Sequence, residues 1–293
     1  MPKMDATPPV PPPNSGDILS RIGPLKPTNL GRLKVSLYGE AGTGKTRLAC
    51  SFPKPLLLIG GEDGTASVVG TPGVDFVQLS IGDICKDFAR IIDAVRGGMV
   101  SRQSKKPFAT VVVDTLSSIR DIRISEILGW NTVPEQMGFR FATMDQWSEC
   151  AQNLKDMMRP LIDLPKFLNV NIVVVAHEQT FIPGDREKAK GIEHCQVKAG
   201  SALGKSLCDW LNKEVDYIAQ LLIRDKVDTV TSTDANGTTA SVQVATGKKE
   251  YALRVGAHSV YYTKFRLPNG RVLTEEYIPD PTYEKLAALI AGK

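Results

Sequence analysis

The sequence predicts an α/β fold, a mainly parallel central β-sheet flanked by helices with a β-rich C-terminal extension. Three observations predict it. Short apolar runs rich in β-branched residues alternate with amphipathic stretches from residue 33 to residue 224, which is the pattern of β-α-β units. After Arg224 that alternation gives way to strand-like segments with turn residues between them. A length of 293 residues with 42% hydrophobic and 23% charged content is enough to bury one large core.

In chain order, residues 1–16 contain TPPVPPP at 7–13. Prolines lack the backbone donor and favour extended polyproline geometry, so this stretch reads as a disordered or docking tail. Residues 17–32 carry Ile18, Leu19, Ile22 and Leu25 and read as a linker or oligomerisation segment laid against this domain or a neighbour. The core is expected over 33–280, and 281–293 closes the chain with a helix. Strands are expected at 33–38, 55–59, 74–79, 109–114, 171–176 and 215–223. Helices are expected at 45–52, 83–97, 115–128 and 144–164, where apolar residues recur every three or four positions, as with Phe88, Ile91, Ile92 and Val95. A polar insertion over 229–247, including TSTDANGTT, reads as a flexible loop.

Composition narrows the function classes. No run of 18 apolar residues exists to span a bilayer, and the first residues lack the apolar core of a secretory signal, so a cytoplasmic protein with no membrane partner is expected. The five cysteines are scattered and never form Cys-x-x-Cys, which points to neither a disulfide framework nor a zinc site. A net charge of +4 permits a nucleic-acid partner without requiring one.

The chemistry is concentrated in Gly39-Glu40-Ala41-Gly42-Thr43-Gly44-Lys45-Thr46, a full match to G-x-x-x-x-G-K-[ST] between a strand and a helix. Glycines let the backbone wrap a polyphosphate, and loop N–H groups converge on it with the helix N-terminus. Lys45 would reach the β and γ phosphates, the Thr46 hydroxyl would ligate Mg²⁺, and Arg47 completes the contact set. Asp114 ends the β-branched strand Thr110-Val-Val-Val, where open α/β sheets put their ligands, and is the metal-supporting acid. Glu62 in PLLLIGGEDG is the candidate to orient an attacking water, with Asp63 as close rival and a plain glycine turn as the alternative. His177, at the end of Asn171-Ile-Val-Val-Val-Ala, reads equally as a γ-phosphate sensor and as a structural strand-end residue.

LYGEAGTGKTRLA, PLLLIGGEDG, ATVVVDTLSS, VVVAHE and YYTKFRLP together resemble the RecA-like ATPases. More narrowly, they are similar to phage-encoded core-only RecA relatives with single-strand annealing activity. The resemblance covers residues 18–273 and departs at the proline-rich tail and the insertion at 229–247. It implies ATP and Mg²⁺ as cofactors, Glu62 as the catalytic acid, and His177 as the residue coupling nucleotide to the following loop. It also implies two loops that bind single-stranded DNA. The first, over 129–143, interleaves Phe139 and Phe141 with Arg140, which suits base stacking beside phosphate contacts. The second, over 178–205, holds Arg186, Lys188 and Lys190, which suits an electrostatic groove. The bland alternative packs those aromatics into the core and leaves the lysines in solvent.

Lys264 and Arg266 alternate along one strand face, where two cations need an anion. Either they face water, or, as the resemblance implies, they reach a neighbouring subunit's γ-phosphate in a ring or filament with ATP at subunit interfaces. The resemblance therefore implies a cytoplasmic phage ATPase that binds single-stranded DNA and promotes annealing or strand exchange, with a single-strand-binding protein as a further partner. The alternative is a phage accessory ATPase that uses its nucleotide as a switch to load or remodel a replication or packaging partner.

Overall fold

The computed structural model describes residues 32–61, 68–130, 142–181, 198–233 and 239–293. The first half runs β1 (Lys34–Gly39), α1 (Lys45–Ala49), β2 (Leu56–Gly60), β3 (Val74–Gln78), α2 (Ile84–Arg96), β4 (Thr110–Asp114), α3 (Leu116–Ile127) and α4 (Met144–Asp163). It continues with β5 (Asn171–Phe181), β6 (Lys198–Ser201), α5 (Lys205–Glu214), β7 (Tyr217–Thr233) and β8 (Thr239–Arg254). The last elements are β9 (Lys264–Phe265), β10 (Tyr277–Pro279) and α6 (Tyr283–Ala291).

The sheet order is β10-β8-β7-β1-β5-β4-β2-β3, with β6 paired to β5 and β9 to β7. Strands β7, β1, β5, β4, β2 and β3 are parallel, and β8, β9 and β10 extend the sheet antiparallel. The expected α/β architecture with a β-rich C-terminal extension is therefore what forms. Leu-Leu-Leu-Ile in β2 and Val-Val-Val in β4 are buried throughout, because helices cover both faces of a parallel sheet and leave no wet side to alternate with.

Two apolar layers result. On one face Tyr38, Ile59, Val113, Val174 and Ile218 pack with Phe88, Ile119, Leu154, Met158 and Leu211, from α2, α3, α4 and α5. On the other, Leu37, Leu58, Val112, Val175, Leu221 and Leu253 pack with Leu48 of α1 and with Leu286 and Ile290 of α6. The starts of α2, α3, α4 and α6 are capped by side chains: Asp83 accepts from Lys86 N–H, Thr115 from Ser118 N–H, Thr282 from Lys285 N–H, and Thr143 and Gln146 form a reciprocal box.

Three expectations need correction. The polar insertion at 229–247 is mostly strand: β7 and β8 run out together as an antiparallel ribbon from Gln220↔Arg254 to Thr233↔Thr239, with a bulge between Asp225 and Val227. Alternating Val and Thr on both arms favours pairing, and the Asp, Asn and Gly residues that suggested a loop fall at 234–238, outside the described residues. The strand expected at 171–176 continues to Phe181 and pairs with β6, Glu178↔Ser201 through Phe181↔Lys198. Of the loop expected over 178–205, only 182–197 lies between those strands, and its last residue, Lys205, opens a helix that the sequence pattern does not announce. The helix expected at 45–52 ends at Ala49, where Cys50 caps it and turns follow.

Candidate nucleotide site at the carboxyl end of the sheet

All parallel strands point their carboxyl ends to one side, and β1 delivers Gly39 there, level with His177 of β5 and Leu221 of β7. A side chain at Gly39 is sterically excluded, since a Cβ would stand 2.3 Å from the Leu221 carbonyl oxygen. Gly44 closes the loop at φ +85 in the left-handed region, which glycine adopts without strain. Between them the Thr43 hydroxyl donates to the Glu40 carbonyl at 2.8 Å, pinning the turn.

Lys45 is the first residue of α1 and only 7% exposed. Its Nζ donates to the carbonyls of Gly39 at 3.0 Å and Glu40 at 2.7 Å, so the ammonium is drawn back across the loop it follows. A cation held inside a concave turn of backbone, next to the N–H groups at the head of a helix, presents a positive surface sized for phosphate oxygens. Thr46 and Arg47 follow on the same turn, half-buried and exposed respectively.

Asp114 ends β4, is 9% exposed, and pairs with Gly60 of β2. Strand β5 lies between β4 and β1, so two strand spacings set the Asp114 backbone about 10 Å from that of β1. Its carboxylate also reaches across the fold electrostatically: burial first, and then the Asp114 charge, push the Cys50 thiol up to about 11. The next residue, Thr115, caps α3 by accepting from Ser118 N–H at 3.1 Å.

His177 connects these parts. Its backbone N–H donates to Ser117 Oγ at 3.1 Å, its carbonyl accepts from Ala202 N–H at 2.7 Å, and Ser117 Oγ donates to the Ala202 carbonyl at 3.1 Å. The exit of β5, the first turn after Asp114 and the residue leading to α5 are thus locked together beside Gly39. One residue on, Glu178 accepts from Gln220 Nε2 at 2.7 Å, Gln220 Oε1 accepts from Arg254 at 3.0 Å, and Arg254 donates to the Tyr277 hydroxyl at 2.8 Å. Burial and then the Glu178 charge hold the Tyr38 phenol well above its ordinary range, and its hydroxyl donates to the Tyr262 carbonyl at 3.0 Å.

The sequence-predicted residues divide accordingly. The structure brings Gly39 to Arg47, Asp114 and His177 to one end of the sheet. Glu62 and its rival Asp63 lie outside the described residues, directly beyond Gly61, where a Cβ would come within 3.2 Å of the Ile119 amide in the first turns of α3. Phe139, Arg140, Phe141, Arg186, Lys188 and Lys190 also lie outside them.

Lys264 and Arg266 are at the opposite end. Strand β9 pairs with the start of β7, Tyr217↔Phe265 and Ile218↔Lys264, whereas the phosphate loop follows the end of β1. Lys264 Nζ donates to the carbonyls of Asn212 and Val215, both at 2.6 Å, at the C-terminus of α5, and Arg266 pairs with Asp216 at 2.9 Å. The anion these two cations need is supplied within the chain, by a helix dipole and a carboxylate. Burial, followed by the charge of Arg266, lowers the Lys264 pKa.

Sequence reasoning missed the Glu178–Gln220–Arg254 chain and Tyr251, whose ring lies against Gly44. Both depend on the pairing of β7 with β1 and β8, which no local pattern announces.

A hard hydroxyl oxygen from Thr46 and a carboxylate from Asp114 fit Mg²⁺, which binds through one or two protein oxygens and completes its shell with phosphates and water. Among the described residues no group of three His, Cys, Asp or Glu side chains could hold a metal. A glycine turn closed over a lysine, with an acidic strand end two strands away, is a polyphosphate site, and it defines the class: a P-loop nucleoside triphosphatase. The chain belongs to the AAA domain family, whose model matches residues 32–267. The comparison with curated proteins gives no match. No helix among the described residues is long and apolar enough to cross a membrane.

Proposed function

We propose that the chain is a Mg-ATP-dependent ATPase of RecA-like type that binds single-stranded DNA and promotes annealing or strand exchange in phage recombination. The observation that supports this best is the course of β5. It passes Gly39 at His177 and runs on to Phe181, so the segment 182–197, in which Arg186, Lys188 and Lys190 alternate with Asp185, Glu187 and Glu193, leaves directly from the phosphate loop's neighbour strand. A γ-phosphate that displaces His177 would also displace the root of that segment. Lys45 and the loop amides hold the phosphates, Thr46 and Asp114 support the metal, and Glu62 orients the attacking water.

Assembly belongs to the same reading. In a ring or filament, Lys264 and Arg266 would serve a neighbour's phosphates only after leaving the α5 carbonyls and Asp216. Mixing Lys45→Ala protein with Lys264→Ala/Arg266→Ala protein tests this, since a composite site would recover hydrolysis in the mixture. The decisive experiment for the function measures ATP turnover with and without single-stranded DNA, alongside DNA binding at low salt and saturating ATP. Turnover stimulated by DNA is expected. Absence of any single-strand affinity under those conditions would refute the DNA reading and leave the ATPase.

The second reading, a nucleotide switch acting on a protein partner, is favoured by one feature. The β7–β8 ribbon runs out beyond the body of the sheet as a paired two-stranded arm, with Val227 at 37% and Val244 at 47% exposure on its two opposite faces, a shape that a protein partner could clasp from either side.

A further inference from the structure

We propose that Tyr251, with Ile223 beside it, is the platform on which the base of the bound nucleotide stacks. The inference rests on the phosphate loop holding a nucleoside triphosphate, as proposed above. It begins with the register of the ribbon, in which Tyr251 of β8 stands directly opposite Ile223 of β7. Successive strand residues alternate between faces, so these two share the face of Leu221 and Leu253, which pack with Leu48 and Ala49 of α1.

Where Leu221 and Leu253 are covered, Ile223 and Tyr251 are not: they are 48% and 40% exposed. They form one apolar rung at the carboxyl edge of the sheet, on the side of β1 away from β5. The Tyr251 ring also touches the site. A Cβ built on Gly44 would lie 3.6 Å from its Cδ1 and 3.8 Å from its Cε1, an ordinary van der Waals contact. Gly44 is the turn from which phosphates held by Lys45 and Thr46 would lead outward, so a base attached to them emerges beside this ring. Further along the same face the Lys249–Asp225 ion pair, at 2.7 Å, forms a polar rim.

An exposed aromatic ring fixed on a paired strand, with an aliphatic neighbour in its plane of support, binds a planar base with little ordering cost. Stacking accepts any base, because every base presents a π-face. The platform therefore raises affinity for nucleoside triphosphates over bare polyphosphate while discriminating weakly between adenine and guanine.

The test is calorimetric titration of the full chain with Mg-ATP, Mg-GTP and magnesium tripolyphosphate. Tyr251→Ala is expected to weaken ATP and GTP binding about tenfold and to leave tripolyphosphate binding unchanged, which also reports an intact fold. Tyr251→Phe should bind as wild type does. In Tyr251→Trp, the fluorescence added by the new indole should be quenched by ATP and not by tripolyphosphate. Unchanged ATP affinity in Tyr251→Ala, with Lys45→Ala still defective, would overturn the platform and spare the phosphate site. Wild-type protein that binds neither ATP nor tripolyphosphate would overturn both.

Discussion

Replacing Lys45 by alanine tests the phosphate loop most directly, and its expected size follows from the geometry. Among the described residues the ammonium donates to the carbonyls of Gly39 and Glu40. Bound phosphate oxygens would take over those two donors as charged acceptors. At about 1.5 kcal/mol each, the lower end for hydrogen bonds to charged groups, their loss costs about 3 kcal/mol, or a little over 100-fold in affinity.

Thermal denaturation reads this without any assumption about turnover. At a Mg-ATP concentration of about 100 times the wild-type Kd, binding stabilises the fold by about 2.7 kcal/mol, an upward Tm shift of about 5–10 °C for a domain of this size. At the same concentration a 100-fold weaker variant gains about 0.4 kcal/mol, or about 1 °C. Alanine is the best helix former and Lys45 opens α1, so the variant keeps its helix and serves as its own folding control. A full wild-type shift in Lys45→Ala would refute the placement of the phosphates on this loop.

Three further outcomes are expected. Asp114→Asn should bind ATP normally in EDTA yet lose Mg²⁺-dependent hydrolysis by about 100-fold or more, measured as phosphate release; full activity would remove Asp114 from the metal site. Neutralising Lys188 and Lys190 together should reduce the slope of log affinity against log salt for single-stranded DNA by about 1.4, at about 0.7 per lost phosphate contact, and an unchanged slope would place those lysines away from DNA. Burial holds the thiols of Cys50 and Cys208 at about 11 and that of Cys150 at about 12, against 9.0 when exposed. Both states keep the proton below pH 9, and above it the unfolded chain loses its protons first. Urea midpoints under reducing conditions should therefore hold to pH 9, fall between pH 9 and 12, and fall less in Cys50→Ala/Cys208→Ala.

The central sheet was legible because its strands are buried on both faces. Runs such as Leu56 to Ile59 and Val111 to Val113 have no polar alternation to blur them; the boundaries expected for β1 to β4 differ from the observed ones by one residue, whereas β5 and β7 run on to Phe181 and Thr233, past the ends expected at 176 and 223. The glycine loop was legible because its chemistry is local: eight consecutive residues carry the turn, the lysine and the hydroxyl. The ribbon was obscured by the polar run that includes residues 234–238, although Thr229, Val230 and Thr231 already carried the β-branched signal. Helix α5 was hidden behind a long polar segment, because Leu207, Cys208 and Leu211 give only one apolar turn. The in-chain partners of Lys264 could not be read at all, since the α5 carbonyls it meets lie about 50 residues away and face it only through the β7–β9 pairing.

The pairing of β1 with β5 gives the nucleotide site a route to distant segments. A γ-phosphate held by Lys45 would lie beside Gly39, and Gly39 is in register with His177. His177 has no slack in its main chain: its N–H is tied to the first turn of α3 and its carbonyl to Ala202, at the root of α5. Glu178 is tied in turn through Gln220 to Arg254, a residue 8% exposed whose guanidinium lies 4.0 Å from the centre of the Tyr261 ring. A displacement of the β5 exit is therefore shared among α3, the ladder that bounds 182–197, and the strand bearing Tyr251. Close-packed interiors pass such shifts on as discrete rearrangements. Substituting Gln220 by leucine would cut the link between Glu178 and Arg254 while leaving the phosphate loop whole. If nucleotide occupancy governs DNA binding through this strand set, that variant should bind ATP as wild type does but lose the dependence of DNA affinity on ATP.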